Sequence, residues 1–216
     1  MDNVQNIRMK TEEKILAKAL ELFNERGIEY VGLRELAGIL DLRVGNITYY
    51  FATKDDLVNR ISQELNAANE TVFFEKREPG IYSFLDTMRL IFQNHMKYRC
   101  IALSLVHILD RNAVISERFK KTQRTRSDYL ATSLSGLAEG GWLKWSGPED
   151  PDTLVSTMGL LARFWVSDAR ITLRSFNQQE QMKHYLRLLI ALLKPRLTAK
   201  GKKDVGKFID ELNTRH

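Results

Sequence analysis

Arg43 and Asn46 stand three positions apart, with Val44 and Gly45 between them and Thr48, Tyr49 and Tyr50 just beyond. An arginine fork matches the O6 and N7 acceptors of guanine, and an asparagine amide matches N6 and N7 of adenine, so this pair suits base edges in a DNA major groove. Tyrosine and threonine hydroxyls suit phosphate oxygens, which set register without reading sequence. Gly45 removes a side chain that would hold a backbone off the groove.

Such a set is useful only if a rigid element presents it. Leu33, Leu36, Ala37 and Leu40 recur at intervals of three and four, the spacing of one helical face. Ala37 is small where a second helix would cross closest. Asp41 follows at the point where the chain must turn sharply through a left-handed residue, a conformation that aspartate tolerates better than most side chains. Leu42 then plugs the turn, and Ile47 and Phe51, one helical turn apart, pack a second helix onto the first. Arg43, Val44, Gly45, Asn46, Thr48 and Tyr49 are left facing outward. The unit has the size of a helix-turn-helix, whose second helix enters the major groove. On the apolar pattern alone, an ordinary helical hairpin fits equally well.

The flanks carry a family resemblance. TEEKILAKALELFNERGIEYVGL is similar to the first helix of the tetracycline-repressor (TetR) family of bacterial transcription regulators, with Ile15, Ala19, Leu22 and Phe23 as its buried stripe and Gly27 at its end. ITYYFATKDDL resembles the family's aromatic end of the recognition helix and the start of its fourth helix. The match runs in register from about Thr11 to about Ile61. Three departures stand beside it: Gly32 at the usual Ser/Thr cap, Asp41 at the usual turn glycine with Arg43 at the usual serine, and Thr48 at the usual tyrosine.

The resemblance implies Arg34, Arg43, Val44, Gly45, Asn46, Thr48, Tyr49, Tyr50 and Lys54 as DNA-contacting residues. Lys54 opens the fourth helix, where backbone N–H groups and the helix dipole also favour a phosphate. It further implies a homodimeric repressor on a palindromic operator, released by a small apolar or amphipathic ligand. The expected division is a helix-turn-helix domain over 1–53, a helical effector-binding and dimerisation domain over 54–198, and a basic C-terminal segment over 199–216.

Beyond the head the sequence predicts helix after helix, punctuated by Glu78-Pro79-Gly80, Gly140-Gly141 and the 146–151 loop, with no convincing period-two run. The expected fold class is all-α. Leu154, Met158, Leu161 and Trp165 stripe one late helix, and Met182, Tyr185, Leu186, Leu189 and Leu193 the next. Those stripes either close a monomer core or, as the family implies, pair with their copies in a dimer. Phe84, Met88, Phe92, His95, His107, Tyr129, Phe164 and Trp165 are candidates for a ligand pocket, against the blander reading of an aromatic core. No buried basic cluster is evident to demand an anion.

Composition bounds the alternatives. The 216 residues are 44% hydrophobic and 28% charged, those of a globular protein. The longest apolar run, around 101–109, is half a membrane span, and the N-terminus lacks a signal-peptide core. The lone Cys100 permits no intrachain disulfide, fits a reducing cytoplasm, and reads as a packing residue. The net charge of +6 does not come from the head: residues 1–60 hold 9 basic against 10 acidic groups, whereas 111–126 hold 6 against 1. DNA affinity in the head must therefore come from placement. The basic 111–126 and C-terminal segments support a second reading, a nucleic-acid-binding protein without an effector. In that segment KGKKDVGKFIDELNTRH is either a mobile tail or a helix using Val205, Phe208, Ile209 and Leu212. An enzyme has least support: His95, His107, His184 and His216 are dispersed, and no nucleophile, phosphate-loop, dinucleotide or metal motif is present, so no catalytic residue, metal or cofactor is expected.

Overall fold

A computed structural model describes residues 2–148 and 150–214, with side chains from Thr11 onward; His216 lies outside the described residues. The described chain is all-α, with eleven α-helices, two 3-10 turns and a single isolated bridge between Leu143 and Leu197. Among the described residues no helix is long and apolar enough to cross a membrane.

Two compact units divide the chain, one of residues 1–67 with 98–118, the other of residues 68–97 with 119–216. In the first, α1 (Asp2–Arg26) buries Ile15, Leu16, Ala19, Leu22 and Phe23 on one face. It stops at Gly27, whose φ of 96° few other residues tolerate. A 3-10 turn (Ile28–Tyr30) leads to α2 (Leu33–Ile39), α3 (Val44–Tyr50) and α4 (Lys54–Phe74). The expected apolar positions fill the core: Leu36, Ala37, Ile47 and Phe51 are buried, and Leu57, Val58 and Ile61 close it from the first turns of α4.

Two short helices that sequence periodicity merges into one run also belong to this unit. These are α6 (Arg99–Leu103) and α7 (Leu105–Arg111), divided at Ser104. Asn24 of α1 accepts the Cys100 backbone N–H at 3.0 Å, and Arg118 donates to Asn59 at 2.8 Å. Cys100 is buried, and that burial pushes its thiol up to about 12, so it packs and does not react.

In the second unit α5 (Ile81–Lys97) is the central element, packed by α9 (Asp150–Thr172), α10 (Gln178–Leu193) and α11 (Ala199–Thr214). Both late stripes are largely internal: Leu154, Met158 and Trp165 of α9 and Met182, Tyr185, Leu186, Leu189 and Leu193 of α10 are buried within the chain. Helix α10 starts at a reciprocal cap between Asn177 and Glu180. The remaining helix, α8 (Ala113–Glu139), ends at Gly140-Gly141, with Gly141 at φ 76°.

Of the C-terminal segment, Ala199–Thr214 forms a helix, and the last two residues lie outside the described ones. Val205, Phe208 and Leu212 of α11 are buried, and Ile209 is half-buried. Trp142 donates to Asp204 at 2.8 Å, and the Lys200 ammonium sits 3.3 Å above the Trp142 ring while donating to the Gly140 carbonyl. Helix and loop approach so closely that a Cβ on Gly201 would stand 2.3 Å from the Trp142 carbonyl oxygen. Part of the basic charge here is therefore engaged within the fold.

Candidate nucleic-acid interface

The crossing of α2 and α3 is set by the turn at Asp41, whose φ is 53°. The Leu42 N–H donates to the Ala37 carbonyl at 2.9 Å and the Asp41 N–H to Gly38 at 3.3 Å, the paired bonds of a Schellman motif. Left-handed backbone at one residue thus satisfies two carbonyls that a helix end leaves over. It also throws Leu42 back over the end of α2, half-buried as the plug of the turn.

On α3 itself Ile47 is the buried residue, and Phe51 packs just past its end. Arg43, Val44, Gly45, Asn46, Thr48 and Tyr49 are all exposed, and Tyr50 is half-buried with its ring edge-on to Tyr49 at 5.1 Å. An open cleft of about 460 Å3 runs along this face, lined by Thr11, Leu42, Gly45, Asn46, Tyr49 and Tyr50. A Cβ on Gly45 would meet no atom of its own chain within 4 Å, so the fold itself does not require glycine there. Arg34 is exposed on α2.

Two residues carry a structural task that the sequence does not announce. Asn46 Oδ1 accepts the Arg43 backbone N–H at 3.1 Å, satisfying a donor at the start of α3. That bond fixes one face of the amide and leaves Nδ2 and the second Oδ1 lone pair for a partner. Lys54 turns its ammonium back onto the Ile28 and Glu29 carbonyls, at 2.9 and 3.4 Å, locking the 3-10 turn to α4. The start of α4 is meanwhile capped from within: Thr53 and Asp56 exchange backbone and side-chain bonds, placing a carboxylate where an incoming anion would sit.

The ligand-pocket candidates are divided between the two units. His107 is exposed on α7 in the first unit, where it and Lys54 face Glu29. Burial works to raise the Glu29 carboxyl, but hydrogen bonds from the Ser104 hydroxyl and the Glu29 backbone, with His107 and Lys54 nearby, outweigh it and hold the group below its usual range. The other candidates lie in the second unit. Phe84, Met88, Phe92 and Trp165 are buried, with Trp165 stacked on Phe92 at 4.9 Å. His95 Nδ1 accepts from Trp165 Nε1 at 3.3 Å and its ring also bonds the Ala162 backbone. Burial, reinforced by Arg126, drives this imidazole down to about 3, so it is a neutral core histidine. Tyr129 packs on Phe73 at 4.5 Å, whereas Phe164 is over a third exposed on the outer face of α9.

The described residues hold no group of three His, Cys, Asp or Glu that could hold a metal ion. The signature of bacterial regulatory proteins of the tetR family matches residues 15–61, covering α2, the Asp41 turn and α3, and that of the bacterial transcriptional repressor TetR matches residues 59–205. The chain belongs to the TetR family of bacterial transcription regulators. Its family and fold are those of a regulator and not of an enzyme.

Among TetR-family relatives, the chain is 34% identical over 58 residues to the probable HTH-type transcriptional regulator YttP of Bacillus subtilis (strain 168). That match covers 27% of this chain and 28% of the relative. Over nearly its whole length the fold is that of a TetR-family regulator from Marinobacter aquaeolei VT8, with a TM-score of 0.84, 19% identity, and 94% and 98% of the two chains covered. A complex of SmeT with triclosan is also similar, with a TM-score of 0.60, 16% identity, and 88% and 93% covered.

The sequence reading overlooked a polar group in the second unit of this TetR-family chain. Arg126 of α8 and Arg163 of α9 converge on Gln123, whose amide oxygen reaches Arg163 Nε at 2.7 Å in one amide orientation and Arg126 Nη1 at 3.4 Å in the other. A basic cluster thus exists where none was expected. Arg126 fell within a basic run, but nothing local distinguishes it from its exposed neighbours Lys121 and Arg124.

Proposed function

We propose that this protein is a homodimeric repressor that binds a palindromic operator through α3 and lets go when a small ligand occupies the second unit. The observation that carries the DNA reading is the face of α3: Arg43, Asn46, Thr48 and Tyr49 are exposed and Tyr50 is half-buried, while Ile47 and Phe51 anchor the helix from behind. Arg43 and Asn46 are the base-reading residues. Val44 and Gly45 let the backbone close on the groove, and Thr48, Tyr49, Tyr50 and Arg34 hold phosphates. Lys54 acts first by fixing the turn before α2, and any phosphate contact uses the donor left over.

One recognition helix reads one half-site, so two copies must set their heads about 34 to 36 Å, or a multiple, apart. Leu160, Phe164 and Ile171 are exposed along one line of α9, opposite its buried stripe, and Leu188 is exposed on α10. We assign the dimer contact to this outer face; the inner stripes are already spent on the core. Release by a ligand is a population shift toward a state whose heads no longer match the operator. SmeT, a protein of the same fold, forms a complex with triclosan, which supports small-molecule binding by this chain. A DNA-binding regulator of this kind works in the cytoplasm.

Selection from random oligonucleotides with the purified chain tests the reading. A two-fold symmetric site is expected, bound by a 50 kDa species in sedimentation, about twice the 25.0 kDa chain mass. An unsymmetric or sequence-indifferent selection would contradict it. Leu160→Asp should yield monomers and lose the site.

A further inference from the structure

Gly45 is a residue of α3 that the fold itself does not explain. Glycine is among the poorest helix formers, its backbone here is not left-handed, and an added Cβ would meet no other atom of the chain within 4 Å. A helix keeps such a residue where something from outside must come close to its backbone. Gly45 opens onto the cleft of about 460 Å3, whose lining combines Leu42, Asn46, Tyr49 and Tyr50 with Thr11 from a different helix, α1.

The shape and chemistry of this cleft point to its occupant. A helix with its side chains is about 10–12 Å across and the major groove about 12 Å wide, so a helix lying in the groove brings its two flanks against the two sugar–phosphate strands. The flank that carries Gly45 and Tyr49, one helical turn apart, is the one that Thr11 bounds. From Gly45 to Tyr49 the cleft runs for about 6 Å at the helical rise of 1.5 Å per residue, enough for a stretch of one strand. None of the six lining residues is a carboxylate that would repel a phosphate, and the exposed Arg43 stands at the start of the same helix.

We propose that this cleft seats the sugar–phosphate backbone of one DNA strand, with Gly45 at the closest approach and Thr11 as a positioning residue on the far side of the strand. This rests on the reading of α3 as the recognition helix. It extends the interface to α1 and assigns the space left by Gly45 to the DNA backbone instead of to a base.

The test measures, at one stated salt concentration, the affinities of the wild type, Gly45→Ala and Thr11→Phe for the selected operator, its single-base-pair variants and a scrambled duplex. Gly45→Ala should unfold no earlier than the wild type, since alanine is the better helix former and its Cβ meets nothing in the chain. It should nevertheless bind the operator roughly ten- to a hundredfold more weakly, the effect of overfilling a close contact. The loss should be equal for the operator and its single-base-pair variants, because the strand backbone is the same in all of them. Thr11→Phe, which fills the cleft from the side of α1, should show the same uniform loss. A Gly45→Ala protein that binds like the wild type overturns the seat, and the recognition helix stands if Arg43→Ala still loses discrimination. Loss of discrimination at particular base pairs in Gly45→Ala puts a base edge in the cleft and overturns the backbone assignment. Thr11→Phe with wild-type affinity removes α1 from the interface. A wild type that does not distinguish the operator from the scrambled duplex overturns both this proposal and the reading of α3. Gly45→Ala decides the seat without any bulky substitution having to fold.

Discussion

Replacing Asp41 tests how the recognition helix is held. At φ 53° an ordinary L-residue sits about 1–2 kcal/mol above its relaxed state, and aspartate bears part of that cost. Escape to negative φ would break two hydrogen bonds, Leu42 to Ala37 and Asp41 to Gly38, worth about 1 kcal/mol each. Asp41→Val, β-branched and least able to adopt the angle, should therefore cost about 2 kcal/mol, bounded above by loss of the turn. Asp41→Gly removes the strain but adds about 0.4–1 kcal/mol of unfolded-chain entropy, so it should be neutral to slightly stabilising. For a chain of this length 2 kcal/mol corresponds to a midpoint lower by about 4–8 °C. Hydrogen exchange of the peptide containing Leu42 gives the local readout: protection should fall in the valine variant and persist in the glycine one. Operator affinity should follow protection. A valine variant with wild-type protection and midpoint would refute this account of the turn.

Lys54→Met should destabilise the protein by about 1–2 kcal/mol through loss of the bonds to Ile28 and Glu29, while the salt slope of DNA binding stays unchanged; a slope reduced by about one would make Lys54 a phosphate ligand. His95 is held near 3 in the fold against 6.5 unfolded, so the unfolded chain takes up the proton first. Stability should be fully present above about pH 6.5 and fall by up to about 1.4 kcal/mol per pH unit below it, a dependence that His95→Gln should flatten in urea titrations. Gly201→Ala should cost about 1–3 kcal/mol by driving α11 off the Trp142 carbonyl, whereas Gly206→Ala, where a Cβ meets nothing within 4 Å, should not destabilise; melting curves of the two variants check this.

Much of the head is legible in sequence because its determinants are local. Leu36, Ala37, Ile47 and Phe51 fall within sixteen positions, their spacing is that of two helices, and Asp41 sits where the left-handed residue is needed. The outward set of α3 follows by subtraction. Lys54 illustrates the limit: its partners are carbonyls 25 and 26 positions away, and backbone acceptors leave no mark on composition. Arg126 and Arg163 are likewise far apart in the chain, and only the packing of α8 on α9 brings them to one glutamine. Phe164 and Trp165 are neighbours of similar chemistry, yet one faces out and the other is buried, because an aromatic residue reads the same on either side of a helix. The break between α6 and α7 at Ser104 is illegible for a related reason, since no proline or glycine announces it.

We propose that the outer face of α3 reads sequence. It is tested most directly by measuring, at one stated salt concentration, the affinities of the wild type and Arg43→Ala for the selected operator and for its single-base-pair variants. The wild type should lose about 1–3 kcal/mol at symmetric positions in the two half-sites, and Arg43→Ala should bind more weakly and cease to discriminate at one of those positions in each half. An Arg43→Ala protein that discriminates every position as the wild type does, however weakly it binds, would contradict it.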